Sequence, residues 1–171
     1  MKKSFLFLIL IFSLSGINAQ TIQEQIDAAN AGDVILIEPG TYTEFLTIDK
    51  SITLNVNGEV ILDVAGNTTG ILIADNTSDV TIDGLKIIGN AFTGSGITVS
   101  PGTSGITITN NNIQNILLPG GGNDSPLSYG ILCWGDTDPV NPPSNITIDN
   151  NIISSSICYI DIFHPTYTLS G

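Results

Sequence analysis

Val80-Thr81-Ile82-Asp83, Ile106-Thr107-Ile108-Thr109 and Ile146-Thr147-Ile148-Asp149 are one phrase written three times. An isoleucine follows seven residues after each start, at Ile87, Ile113 and Ile153. A second phrase also recurs: Gly70-Ile71-Leu72-Ile73, Gly96-Ile97-Thr98-Val99 and Gly130-Ile131-Leu132-Cys133. The interval from 80 to 106 is 26 residues and that from 106 to 146 is 40, so one repeat carries 14 additional residues. Self-similarity at such a period marks a stacked repeat, in which each unit buries its apolar face against its neighbours.

A repeat of this size, built from three short strands, is one turn of a solenoid. Strand alternation places Val80, Ile82 and Ile87 inside and Thr81, Asp83 and Lys86 outside. Equivalent residues then lie one rung above another at ~4.8 Å, so isoleucine stacks on isoleucine within, and Thr81, Thr107 and Thr147 form an outer file. Asn111 and Asn151 occupy matching turn positions and can hydrogen-bond from rung to rung, as stacked amides do in piled sheets. Leu85 holds that place one rung earlier, so the ladder is expected to begin only at Asn111.

Working outward toward the N-terminus, short β-rich runs separated by turn residues continue back to Asp33: Val34–Ile37, Phe45–Ile48, Ile52–Val56 and Val60–Leu62. Ahead of them Thr21-Ile22-Gln23-Glu24 fits a capping box. Ile22, Ile26 and Ala29 share one face, which predicts a short helix that Gly32 stops. Residues 1–19 read as a secretory signal peptide: Lys2 and Lys3, an apolar run from Phe5 to Leu14, small and polar residues, then Ala19 before Gln20. As an uncleaved anchor the run is short, since a span needs ~20 apolar residues. A lipid-modified form calls for a Cys near the cleavage site, and none is there. The expected domains are therefore a signal peptide at 1–19 and one repeat domain at 20–171.

Composition narrows the function classes. The chain has 171 residues, 42 % hydrophobic and only 12 % charged. Its wealth of Ile, Val and Thr argues against disorder. Four lysines, no arginine and sixteen acidic residues give a net charge of −12, which would repel a phosphate backbone and excludes nucleic acid as the expected partner. Removing residues 1–19 takes away two lysines and no acid, leaving −14. Cys133 and Cys158 have two readings. Export permits a disulfide between them, but both sit in apolar, strand-like runs where Cys is often a small buried residue.

The pattern closely resembles the right-handed parallel β-helix of the pectin lyase-like superfamily. The resemblance runs over essentially all of the chain after residue 19. Its most specific part is the opening: Thr21-Ile22-Gln23, Ile26-Asp27-Ala28-Ala29, Gly32-Asp33-Val34-Ile35, Pro39-Gly40-Thr41-Tyr42, Glu44 and Ile48-Asp49-Lys50-Ser51-Ile52-Thr53-Leu54. These resemble the helix cap and first rung of secreted pectinesterase-like and lyase-like proteins; Ile108-Thr109-Asn110-Asn111 and Ile148-Asp149-Asn150-Asn151 resemble later rungs. The fold class implied is all-β, a right-handed parallel β-helix with a short N-terminal capping helix. No amphipathic or charged segment follows His164-Pro165-Thr166-Tyr167 to cover a last rung. The expectation is an N-terminal piece of a longer protein, with further rungs or another domain as its continuation. The other reading is a small β-helix closed by a partner or by its own tail.

The additional residues point to a site. One long loop, from about Ile116 to Ser128, precedes Tyr129–Trp134, and a second, Gly135 to Ser144, follows it. In the superfamily a polysaccharide groove runs along this kind of strand. Tyr129 and Trp134 would offer flat faces to sugar rings, with Asp136 and Asp138 as further substrate contacts. Asp124, Asp136 and Asp138 supply the oxygens a hard cation such as calcium wants. The plainer reading is two solvated turns with an aromatic covering their base. A surface at −14 repels pectate or alginate unless calcium bridges the two, which favours a neutral glycan or a calcium-dependent contact.

Catalytic signatures are sparse. Lyase and esterase members of the family employ an arginine, and this chain has none. Trp134-Gly135-Asp136-Thr137 weakly resembles a pectinesterase aspartate motif but lacks the neighbouring Gln and the partner Arg. The Gly-His-Gly and Arg-x-Lys groups of the hydrolases are missing too. His164, beside Pro165, reads as structural or disordered rather than catalytic. Lys50 and Lys86, amid so many acids, are poor candidates for a base that needs a lowered pKa. Asp83 and Asp149 lie two rungs apart, roughly 10 Å, too far for one ion. Two functions follow as expectations: the N-terminal part of a secreted polysaccharide-binding or polysaccharide-degrading protein, or a non-catalytic extracellular or cell-surface module for structure or adhesion. Ice binding through the threonine file is a poorer third, because only Thr107 has a second Thr two residues on.

Overall fold

The computed structural model describes residues 20–64, 66–117, 128–134 and 141–154, and the backbone of 159–162. The expected signal peptide, Cys158 and His164 lie outside the described residues. A helix, α1 (Ile22–Ala28), leads into fifteen strands. These are β1 (Asp33–Ile37), β2 (Gly40–Thr43), β3 (Leu46–Ile48), β4 (Ile52–Val56), β5 (Val60–Asp63), β6 (Thr69–Ile73), β7 (Thr81–Asp83), β8 (Lys86–Ile88), β9 (Ser95–Val99), β10 (Ser104–Thr109), β11 (Asn112–Gln114), β12 (Tyr129–Cys133), β13 (Ser144–Asp149), β14 (Ile152–Ser154) and β15 (Tyr159–Ile162).

Each of the three sheets takes every third strand. Sheet A runs β1-β4-β7-β10-β13, sheet B β2-β5-β8-β11-β14 and sheet C β3-β6-β9-β12-β15. The chain thus visits A, B and C in turn, five times, and the paired strands are parallel. The repeated phrase is what pairs: Ile82 lies opposite Ile108 and Ile108 opposite Ile148, offsets of 26 and 40 residues. The outer threonine file is one member longer than the repeat implied, since Thr53 pairs with Thr81 ahead of Thr107 and Thr147. β2 was not legible as a strand behind Pro39-Gly40, although Thr41, Tyr42 and Thr43 suit one; it pairs with β5.

Three inward files make the core. Leu54, Ile82 and Ile108 line sheet A, Leu62, Ile87 and Ile113 sheet B, and Ile71, Ile97 and Ile131 sheet C, all buried. Fully burying one such side chain contributes roughly 1.5–3 kcal/mol. Every pass repeats that gain, which is why so few charged residues suffice for the fold.

α1 closes the first pass. Ile22 and Ile26 are buried in the core, and the expected capping box forms between Thr21 and Glu24. The expectation that Gly32 stops the helix is corrected: helix ends at Ala28, with Ala29 extended as C-cap, and Gly32 turns the chain toward β1 at φ 91°. Three side chains tie α1 down. Glu44 accepts the N–H of Ile22 at 2.9 Å and of Gln23 at 3.1 Å, filling free helix donors with a carboxylate. The Gln23 carboxamide stands in for a neighbouring strand at β3: its Oε1 accepts from Thr47 N–H at 2.8 Å and its Nε2 donates to Thr47 C=O at 3.2 Å. At the other helix end Lys50 Nζ donates to the carbonyls of Ile26, Asp27 and Ala29.

Candidate functional site

The β12 strand is where the extra 14 residues act. Pairing of Ile97 with Ile131 is an offset of 34, against 26 one pass earlier. Eight of the additional residues therefore precede β12 and six follow it, flanking one strand as the two long loops required. Residues 118–127 and 135–140 of these loops, with Asp124, Asp136 and Asp138, lie outside the described residues. The structure brings Tyr129 and Trp134 to the two ends of β12 and does not show how those carboxylates stand to them.

Alternation along β12 turns Ile131 and Cys133 into the core. Leu132 and Trp134 face outward; Tyr129 is half-buried and Trp134 is 53 % exposed. Trp134 N–H donates to Val99 C=O at 2.9 Å, so the indole extends from a backbone already held by the pass beneath. In the passes beneath, the same backbone link is made by Ala74 and Ser100. These small residues leave the floor beside the indole low. At the start of the strand Tyr129 pairs with Ser95, and Ser95 with Thr69. The Ser95 hydroxyl lies 2.7 Å from Thr98 Oγ1 and donates to Thr69 Oγ1 at 3.2 Å. Trp134 is the exposed aromatic face of this strand and Tyr129 a half-buried one; of the hydroxyls, Thr69 and Thr98 are partly exposed and Ser95 is buried beneath them. An aromatic face and hydroxyls that both donate and accept are groups that suit a sugar.

The glycine that opens each copy of the second phrase has a steric cause. A Cβ on Gly96 would meet Gly130 O at 2.6 Å and Ile113 Cγ2 at 2.6 Å; one on Gly70 would meet Gly96 O at 2.6 Å. At Gly70 and Gly96 this corner is too close to the next pass for any side chain, which sets the later strands of sheet C in register before the site is built.

The two lysines are occupied elsewhere. Lys50 serves α1, and Lys86 Nζ lies 3.5 Å from Glu59 Oε1 across sheet B. Asp83 and Asp149 flank Thr109 in register, and Asp83 Oδ1 accepts from Asn110 Nδ2 at 2.7 Å. Burial pushes the Cys133 thiol up to about 12. It stays protonated at neutral pH and has no character of a nucleophile. No three His, Cys, Asp or Glu residues gather as a metal set among the described residues, and none of the helices there is long and apolar enough to cross a membrane.

Sequence reasoning missed a concavity at the other end of the stack. An open cleft of about 470 Å³ lies against α1 and the first pass, lined by Gln23, Thr43, Glu44, Phe45, Thr47 and Asn67. The sole signal for it was a large aromatic, Phe45, directly ahead of Leu46, where the later copies carry Gly70, Gly96 and Gly130. Comparison with protein-family models, curated proteins and solved structures finds no match for this chain, so its architecture and side chains are the guide to its function.

Proposed function

We propose that the chain is an exported right-handed parallel β-helix of the pectin lyase-like kind whose outer sheet C binds a polysaccharide or surface glycan at β12. Support for the coil comes from the A-B-C order of the strands and the in-register repeat; its hand is the one strand twist favours for parallel crossovers. The observation that carries the binding reading is the exposed Trp134 at one end of β12, with the half-buried Tyr129 at the other, between the positions of both insertions and beside the partly exposed Thr69 and Thr98 hydroxyls. Calcium enters this reading as a bridge through Asp124, Asp136 and Asp138.

A second reading, a structural or adhesion module that binds without chemistry, is favoured by one observation. Lys50 and Lys86, the only lysines after residue 19 in a chain without arginine, are held in structural contacts. A glycan array with and without a calcium chelator tests binding, and release of reducing ends from the bound glycan separates enzyme from module. Trp134→Ala is expected to weaken binding about tenfold, the loss of one aromatic platform. No binding to any glycan, together with no effect of that substitution, removes the reading.

A further inference from the structure

We propose that the cleft at Phe45 is a second saccharide site, taking one ring of a neutral glycan. This inference rests on the glycan-binding reading above but uses none of the residues of β12. Leu46 pairs with Ile71, so Phe45 stands one pass before Gly70 in the corner where the next passes carry Gly70, Gly96 and Gly130. It is the first member of that file and the one with a side chain. Packing does not require it, for the ring is 52 % exposed.

Polar groups around the ring are of the right kind and are held in place. Glu44 is fixed by the two N–H groups of α1, each of its oxygens accepting one bond, which leaves lone pairs for sugar hydroxyls. The Asn67 carboxamide and the Thr43 hydroxyl line the same cleft and have no hydrogen-bond partner among the described residues. An acceptor-only carboxylate, an amide that both donates and accepts, and a hydroxyl that does either match a ring bearing several hydroxyls. Polar and apolar atoms share the lining about evenly, which suits an occupant that has both kinds of surface. The Glu44 charge and the acidic chain exclude an anionic sugar. Phe45 supplies the flat apolar face against which the C–H side of a neutral ring packs. Since Glu44 and Gln23 are already ordered by α1, binding need not order them again.

Sheet C connects the two sites. Phe45 belongs to the first pass and β12 to the fourth, so they lie three strand spacings apart along the stack, roughly 14 Å. A neutral oligosaccharide long enough to follow the stack can touch both, and the second contact then adds by proximity.

The test is calorimetric titration of the full chain with uncharged gluco-, xylo- and manno-oligosaccharides, graded from disaccharide to octasaccharide, in wild type, Phe45→Ala, Phe45→Trp, Asn67→Ala and Trp134→Ala. Phe45→Ala is expected to lose about tenfold in affinity for the longer members. Phe45→Trp should restore it, and binding at this cleft should persist in a calcium chelator. An exposed side chain is exchanged in each Phe45 variant, and an unchanged melting temperature verifies the fold. If Phe45→Ala and Asn67→Ala bind as wild type at every length while Trp134→Ala is weakened, this inference falls and the β12 site stands. If Phe45→Ala is weakened and Trp134→Ala is not, this site stands and the β12 reading falls. If the wild type binds no oligosaccharide of any series, both fall.

Discussion

Two corners of the stack have opposite tolerance for length. Between sheets A and B, the last three passes turn in the same number of residues: Ile82 to Ile87, Ile108 to Ile113 and Ile148 to Ile153. Each turn starts from a left-handed residue, Gly84 at φ 84°, Asn110 at 56° and Asn150 at 53°. Asn111, next in its turn, is buried and bonded in four directions. Its Oδ1 accepts from Leu85 N–H at 2.9 Å, its Nδ2 donates to Ile82 C=O and to Asn151 Oδ1 at 3.0 Å each, and its N–H donates to Asn151 Oδ1 at 2.9 Å. In the described turns on either side of sheet C the buried side chains, Thr93 and Thr103, bond within their own turn and not to the passes above and below, and all 14 additional residues enter beside this sheet. The difference teaches that a corner is fixed in length where a buried side chain binds the passes above and below it. Where no buried side chain does so, the chain is free to grow.

The strongest challenge to this contrast is Asn111→Ala. It leaves the buried Leu85 N–H and Ile82 C=O without their side-chain partners and should cost about 3 kcal/mol, read from the denaturation midpoint. A change below ~1 kcal/mol would show that the amide ladder does not set the corner. Asn111→Leu, copying Leu85, sharpens the point, and an intermediate loss is expected because shape is kept while the bonds are not. Next in size is Gly96→Ala in the corner that opens sheet C. Its Cβ must displace the Gly130 carbonyl, and a loss of about 2 kcal/mol is expected. If that variant melts like wild type, close approach is not what fixes the start of the strand. Smaller still is Lys50→Ala, which removes a cation from the C-terminal carbonyls of α1. About 1 kcal/mol should go, with greater amide exchange in α1 and no change at β12. The smallest effect is expected for deletion of Gly120, Gly121 and Gly122 from the first insertion. Stability should move by less than ~0.6 kcal/mol, because closure entropy varies slowly with loop length. A large loss on deleting those glycines would mean that the free corner is as constrained as the filled one.

The ladder shows what was readable in advance. Asn111 and Asn151 at equivalent repeat positions sufficed to foresee the bond between them and the start of the ladder at Asn111, since an in-register stack makes any equivalent pair neighbours. The inward and outward assignments of Ile82, Thr81 and Asp83 follow equally from alternation. Thr53 escaped because its own pass is two residues longer than the 26-residue period, which hides its equivalence to Thr81. The role of Lys50 escaped for another reason. It caps carbonyls of residues more than twenty positions away, and nothing local in Asp49-Lys50-Ser51 announces them. The same holds for the cleft at Phe45, which arises where α1 and the first pass meet.

By itself the sequence determined the repeat, and with it the parallel pairing, the isoleucine core and the strand that carries Tyr129 and Trp134. Period and alternation are properties of the chain, and a stack only adds them up. Tertiary structure alone decided how the first pass is closed, which polar groups Glu44, Gln23 and Lys50 satisfy, and that Phe45 is left exposed beside the Asn67 amide and the Thr43 hydroxyl. Those contacts join segments unrelated by the repeat, so their partners are set by where the folded chain brings them and not by spacing along it.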